Sequence, residues 1–315
     1  MDKEIMNTTG GALFEGDLKK IYSTICDALQ CKKENIYDLR PLQKGITNAV
    51  LSFYCFGRKY VYRYPGNGAD VLVDRGREAM IQQQASEIGV DDSLVSMSMR
   101  DGWRIGKFVE NYTYDYHNIS HVVRGIGLIK QLHTAAAKIR WEFDPKEKWE
   151  AIKTTIPNDK YGDNYTDYPN FASIQERIYK LYDLTANDGT AKCIVHGDCR
   201  DENFLINDDE IYLIDWEYAG YGDPGFDIGT YIAGGNHSEE DVNRVLFIYF
   251  GRKPTLAEKR HFYAWIAISG FFYMHWCMFK EAKGQKVGRL KQLWYQYANE
   301  YSKLALNLFN QGGHK

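Results

Sequence analysis

The sequence predicts an α+β protein of two lobes, the first a small helix-plus-antiparallel-sheet lobe and the second mainly helical. Three observations predict it. Short apolar runs broken by Gly and Pro dominate residues 49–109, helical spacing dominates after residue 118, and the pattern changes at a hinge near 110–113. With 315 residues, 44% of them apolar, the chain is long enough for two unequal lobes. Its 39 Lys+Arg against 42 Asp+Glu leave a net charge of −3. That balance excludes a duplex-coating nucleic-acid binder, because phosphate contacts need a basic face.

The first lobe, 1–110, opens with a helix over 17–30, where Leu18, Ile21, Ile25 and Leu29 share one stripe and Asp17 is a possible cap. Strands are expected at 49–56 and 59–64, joined as a hairpin at Gly57-Arg58 and ended by Pro65-Gly66. A helix over 75–88 stops at Gly89, and strands at 94–99 and 103–109 flank an Asp101-Gly102 turn.

The second lobe, 111–315, starts with a helix over 118–139 whose face carries Ile119, Val122, Val123, Ile126 and Ile129. Residues 140–170, with three X-Pro steps and many Asp and Asn, read as an irregular insert, and helix resumes over 174–184. The stretch 193–215 then alternates strand and turn: CIV, HGDCRDEN, FLI, NDDE, IYLID. Helix fills the rest, to about residue 310. Within it, 262–279 has no formal charge and just reaches the length of a membrane span. His275, Ser269 and Gly270 inside it, and charged residues on both sides, predict a buried helix without membrane insertion. Six scattered cysteines without a C-x-x-C pair, and a start lacking the apolar core of a signal peptide, predict reduced thiols and a cytoplasmic protein.

Chemistry concentrates between His196 and Asp227, where ten carboxylates face one basic side chain, Arg200. Asp208–Glu210 read as a solvated hairpin tip. Asp198 and Asp215 differ, because each ends a short apolar strand, where an unpaired carboxylate is costly. Asp198, Asn203 and Asp215 together offer a base and two hard oxygen ligands, which suits Mg²⁺ shared with nucleotide phosphates. His196 and Cys199 lack the partners and spacing of a zinc site. The residue chemistry favours phosphoryl transfer over metal-assisted hydrolysis or a non-catalytic acidic turn.

The segment His196-Gly197-Asp198-Cys199-Arg200-Asp201-Glu202-Asn203 resembles the H-x-D-x-x-x-x-N loop of the aminoglycoside phosphotransferase and choline kinase superfamily. The later Ile214-Asp215-Trp216-Glu217-Tyr218, followed by Gly225-Phe226-Asp227-Ile228-Gly229, resembles the choline/ethanolamine kinase branch specifically. The resemblance covers roughly residues 40 to 305. It implies a protein-kinase-like fold, Asp198 as catalytic base, Asn203 and Asp215 as magnesium ligands, His196 as a loop-shaping residue and Asp227 as a buried brace.

In the first lobe Gly45-Ile46-Thr47-Asn48 reads locally as a turn, and no Walker motif exists. The resemblance lays this segment over the nucleotide phosphates, with Thr47 and Asn48 as contacts. Arg63, on a strand, and Glu78, on the next helix, form the cation–carboxylate arrangement that pins ATP phosphates in kinase-like folds; the bland reading is a surface ion pair. The hinge at 108–111, including Glu110, is expected to meet the adenine.

The acceptor is read from charge and rings. Tyr273 and Trp276 lie three apart on one helix, as do Trp294 and Tyr297 on the next, and Glu217 follows Asp215 by two. Rings with an acidic wall suit a quaternary ammonium, although core packing explains any single ring as well. The resemblance implies a choline pocket at these positions, with Tyr273 standing where many relatives have tryptophan. The expected activity is transfer of the ATP γ-phosphoryl group to choline. Ethanolamine is the rival acceptor, and an inactive ATP-binding kinase-fold scaffold is the rival of another class.

Overall fold

The apolar stripe of 17–30 folds as α1 (Glu15–Leu29) and buries Leu18, Ile21 and Ile25 on one side of a sheet. This computed structural model describes residues 15–44, 48–65, 75–136, 138–139, 141–157, 161, 168–288 and 290–311. Two compact units divide it, Met1–Asn111 and Tyr112–Lys315. The architecture is a two-lobed α+β fold, an N-terminal antiparallel sheet unit and a larger helical one.

The first unit is built on β1 (Ile36–Lys44), β2 (Asn48–Cys55), β3 (Arg58–Pro65), β4 (Leu94–Met97) and β5 (Arg104–Lys107), with α2 (Arg75–Ile88) between β3 and β4. The strand order is β1-β2-β3-β5-β4, antiparallel throughout. The register pairs Cys55 with Arg58, so the β2–β3 turn is Phe56-Gly57, one residue earlier than the spacing predicts. Both turn residues have positive φ, the twist a two-residue hairpin requires. Strand β1 was not predicted. Its Pro41 and alternating charges mask it, and it survives because it lies at the sheet edge, where a missing N–H goes unused.

Register also sorts the two faces of this sheet. Tyr62 pairs with Ile105, both fully buried in the core under α1. The next pair, Arg63 and Arg104, therefore points to the opposite face, because side chains alternate along a strand.

In the second unit α3 (Ile119–Thr134) is capped by Asn118, whose side chain accepts from the Ser120 N–H. Its buried stripe is Val122, Ile126 and Ile129 with Leu128 and Leu132, while Ile119 and Val123 stay about half exposed. The irregular insert contains a helix, α4 (Pro145–Lys153), started by the Asp144 cap and Pro at its first position. Its Trp149 is wholly buried. After it come α5 (Phe171–Thr185), β6 (Cys193–Val195), β7 (Phe204–Ile206), β8 (Ile211–Leu213) and β9 (Gly220–Gly222). Four helices follow: α6 (Pro224–Gly234), α7 (Glu239–Phe250), α8 (Leu256–Ala282) and α9 (Leu290–Gln311).

The 262–279 segment lies inside α8, which packs against α4, α5, α6 and α9. Neighbours on all sides explain why the helix is apolar all round. No described helix is long and apolar enough to cross a membrane. The six cysteines are free thiols.

At the α8 N-terminus His261 sits between two carboxylates, Nδ1 2.6 Å from Asp188 and Nε2 2.9 Å from Asp223. Burial alone would lower this imidazole, but the Asp188 and Asp223 hydrogen bonds outweigh it and raise it from 6.5 to about 9. A raised folded-state value stabilises fully below about pH 6.5, and that contribution disappears as pH rises through about 9. A rise of that size corresponds to about 3 kcal/mol. Urea titrations at pH 6.5 and pH 9.5 should therefore show a stability loss of that order in the natural protein, and a much smaller one in His261→Gln.

Candidate active site

Two small antiparallel ladders, β6 with β9 and β7 with β8, hold the 196–203 segment. The chain leaves β6 through His196 and turns at Gly197, φ +83°. A Cβ at Gly197 would lie 2.8 Å from the Tyr218 carbonyl oxygen, so both conformation and space demand glycine there. Asp201–Asn203 then form one turn of 3₁₀ helix, whose first N–H is received by the Tyr116 hydroxyl at 2.8 Å.

Asp227, in the first turn of α6, fixes this loop from below. Its fully buried carboxylate accepts the His196 N–H at 2.7 Å and the Gly197 N–H at 2.8 Å, and meets His133 Nε2 at 3.0 Å. Burial would push the carboxyl up, but the His133 hydrogen bond and His196 outweigh it and hold it below the usual carboxylate range. His196 is occupied at both ring nitrogens: Nδ1 receives the Asp198 N–H at 3.2 Å, so Nε2 carries the proton toward the Ile214 carbonyl at 2.9 Å. A ring bonded this way shapes the loop and has no nitrogen left to exchange a substrate proton.

Asp198 is 9% exposed and lies at the centre of the site. Its Oδ1 accepts from the Tyr273 hydroxyl at 2.6 Å and from Arg200 Nε at 2.8 Å, and its Oδ2 accepts from Asn203 Nδ2 at 2.9 Å. Burial opposes the Arg200 charge, but Asp198 beside it more than compensates and pushes that guanidinium up. Asn203 Nδ2 also reaches the Asp198 carbonyl at 2.8 Å, while no described residue donates to its Oδ1.

Asp215 follows β8 in the left-handed region, φ +73°, a conformation rare for non-glycine residues and tolerated best by Asp and Asn. The Ile214 N–H donates to the Asn203 carbonyl at 2.9 Å, tying the Asp215 segment to the 196–203 loop. Since β8 ends at Leu213 and residues 217–218 form a turn, strand alternation does not relate Asp215 to Glu217, contrary to the expectation from spacing. What relates them is Tyr218. Its phenol is pushed far up, first by burial and then by the Glu217, Asp198 and Asp215 carboxylates.

The rings form a wall that starts at Asp198. Tyr273 stacks on Trp294 at 4.7 Å and 29°, and Trp276 meets Trp294 edge-on at 6.1 Å. Close approach of α8 and α9 allows this, since a Cβ at Gly270 would lie 2.8 Å from the Trp294 carbonyl oxygen. Tyr273 and Trp294 are buried, whereas Trp276 is partly open and carries Lys280 Nζ 5.0 Å from its ring centroid. Tyr297 is engaged elsewhere, its hydroxyl receiving the His237 N–H at 2.6 Å.

In the first unit Glu78 is buried and takes Arg104 as an ion-pair partner. Arg104 lies opposite Arg63 in the β3–β5 register, so two strand cations share the face that meets Glu78. The sequence reading named only Arg63. Asn48 begins β2, Glu110 lies in the segment after β5, and Thr47 falls outside the described residues. Phe108 is held by its N–H on the Lys59 carbonyl at 3.1 Å and by Lys59 Nζ over its ring. Sequence reasoning also missed Tyr116 and His133, which lie far from the motif and carry no local signal. Arg200 did carry one, as the single basic side chain among ten carboxylates.

Comparison with known proteins agrees with this geometry. The choline/ethanolamine kinase family matches residues 39–244. The chain belongs to that family. Its Haemophilus influenzae relative, protein LicA, is 24% identical over 209 residues, a match spanning 65% of this chain and 60% of the relative's length. The crystal structure of choline kinase LicA from Streptococcus pneumoniae superposes with a TM-score of 0.74 at 22% identity, covering 91% of this chain and 99% of that one. A crystal structure of LicA in complex with AMP gives the same TM-score at 20% identity, covering 94% and 100%.

Removing the Asp227 carboxylate leaves two backbone N–H groups and an imidazole buried without their acceptor. Asp227→Ala should lower the unfolding free energy by about 3–5 kcal/mol, read from urea denaturation followed by circular dichroism. The loss of activity should track the loss of folded protein.

Proposed function

We propose that this protein is a choline kinase, transferring the γ-phosphoryl group of Mg-ATP to the choline hydroxyl. The observation that carries this reading is the aromatic wall bonded directly to Asp198 through Tyr273. A base whose own hydrogen-bond partner belongs to a stack of rings is suited to an alcohol that ends in a quaternary ammonium. Cation–π contacts of about 0.5–2 kcal/mol per ring would hold that group.

Asp198 aligns the acceptor hydroxyl and takes its proton as the new P–O bond forms and the bond from the γ-phosphorus to the bridging oxygen breaks, releasing ADP. Asn203 Oδ1 and the Asp215 carboxylate are hard oxygen donors that fit Mg²⁺, with the remaining positions left to phosphate oxygens. When bound, the ion neutralises charge on the phosphates. In the first unit, Arg63 with Glu78, and Asn48 and Thr47, are the contacts we assign to nucleotide phosphates, and the backbone near Glu110 to the adenine. Glu217 and the Trp276 and Trp294 rings take the trimethylammonium group, and Tyr297, bonded to His237, stands outside that set. Ethanolamine is the competing acceptor, because a primary ammonium hydrogen-bonds to Glu217 where choline cannot.

A cavity of about 320 Å³ also opens beside His261, Thr190 and Phe262. Its Asp188 and Glu258 are already bonded, to His261 and Arg252. It is not the acceptor site.

The direct test is phosphoryl transfer from Mg-ATP to choline, ethanolamine, homoserine, aminoglycosides and simple sugars. The highest kcat/KM should belong to choline, and protein that consumes no ATP with any of them would overturn the reading. Asp198→Ala should lower kcat at least about 100-fold with ATP affinity nearly unchanged, measured by calorimetry. Trp276→Ala should raise the choline KM more than it lowers kcat, and a normal KM would remove Trp276 from the pocket.

A further inference from the structure

Resting on that reading, we infer that the Tyr273 hydroxyl is a positioning device for Asp198, and that its ring is only half of its role. Tyr273 lies 75 residues from Asp198 in sequence, on α8, yet its hydroxyl donates to Oδ1 at 2.6 Å, among the shorter bonds at the site. Its ring is pinned by the stack on Trp294, so the phenol cannot swing away without disturbing the α8–α9 contact.

The consequence is an assignment of the two carboxylate oxygens. Oδ1 receives two strong donors, Tyr273 at 2.6 Å and Arg200 Nε at 2.8 Å. Oδ2 receives Asn203 at 2.9 Å and only a distant Arg200 contact at 3.5 Å. The acceptor hydroxyl therefore meets Oδ2, the oxygen with room for another donor. Tyr273 holds the carboxylate in the rotation that presents it. Burial first, and then the adjacent Asp198, push the Tyr273 phenol far above its usual range, so it remains a donor and never competes as a base.

A ring that merely lines the head-group pocket acts on acceptor binding. A hydroxyl that orients the base acts on turnover. Tyr273→Phe separates the two, because it keeps the stack and deletes only the hydrogen bond. With Mg-ATP and choline, kcat should fall about 10-fold or more, while the choline and ATP KM values stay within about twofold. Tyr273→Trp, which keeps an aromatic face without the phenol, should show the same loss of kcat. Unchanged kinetics in Tyr273→Phe would overturn the inference, and so would a raised choline KM at normal kcat. Loss of ATP binding by either variant, read by calorimetry, would also count against it, since a group acting only on Asp198 leaves the nucleotide alone. If the natural protein ignores choline but phosphorylates ethanolamine, the choline reading fails by itself and the same comparison is made with ethanolamine. A natural protein that phosphorylates neither removes both.

Discussion

The buried Asp227 carboxylate is the interaction on which the rest of the site depends. It has no exposed surface, and its partners come from two separate parts of the chain: the backbone of His196 and Gly197, and the side chain of His133 on α3. A carboxylate so placed is tolerable only while its acceptor capacity is filled, because an unpaired charge in this environment would cost several kcal/mol. That condition makes the loop position non-negotiable. Once His196 and Gly197 are fixed, the His196 ring reaches the Ile214 carbonyl, and the strand that leads to Asp215 is fixed with it.

Long-range geometry enters through α8. A helix packed against four others has little freedom to rotate, so the direction of Tyr273 follows from that packing, with Trp294 stacked on its ring. Gly270 lets α9 approach closely enough for Trp294 to stack on Tyr273. Asp198 thus draws its loop neighbours from local sequence and its tyrosine from the core of the helical unit. The family match over residues 39–244 ends before α8, so the aromatic wall belongs to the part of the chain outside that match.

Much of the fold was legible where local signals agree with each other. The α1 stripe, the β2–β3 and β4–β5 hairpins, and α2 with its stop at Gly89 follow from period and turn chemistry, which are properties of adjacent residues. The misses have physical causes. Strand β1 alternates poorly because an edge strand with Pro41 and two bulges needs no clean alternation. Helix α4 lies within the stretch whose composition reads as an irregular insert; Asp144-Pro145 is a helix start, but the surrounding Asp, Asn and Pro dominate. In α3 the buried face turned toward Leu128 and Leu132, leaving Ile119 and Val123 outside, since helical spacing defines a stripe but not which edge of it the neighbours cover.

By itself the sequence determined which residues share a loop: Asp198, Arg200 and Asn203 lie within six positions, and no fold could separate them widely. It also determined that Tyr273 with Trp276, and Trp294 with Tyr297, lie at helical spacing. Only the tertiary structure decided that Tyr273 donates to Asp198, that Arg104 takes Glu78 beside Arg63, and that Asp215 reaches the site through a left-handed turn after β8 ended. The reason is the range of the forces involved. Periodicity and turn preference act over a few residues, whereas a hydrogen bond across 75 positions exists only after helices have packed.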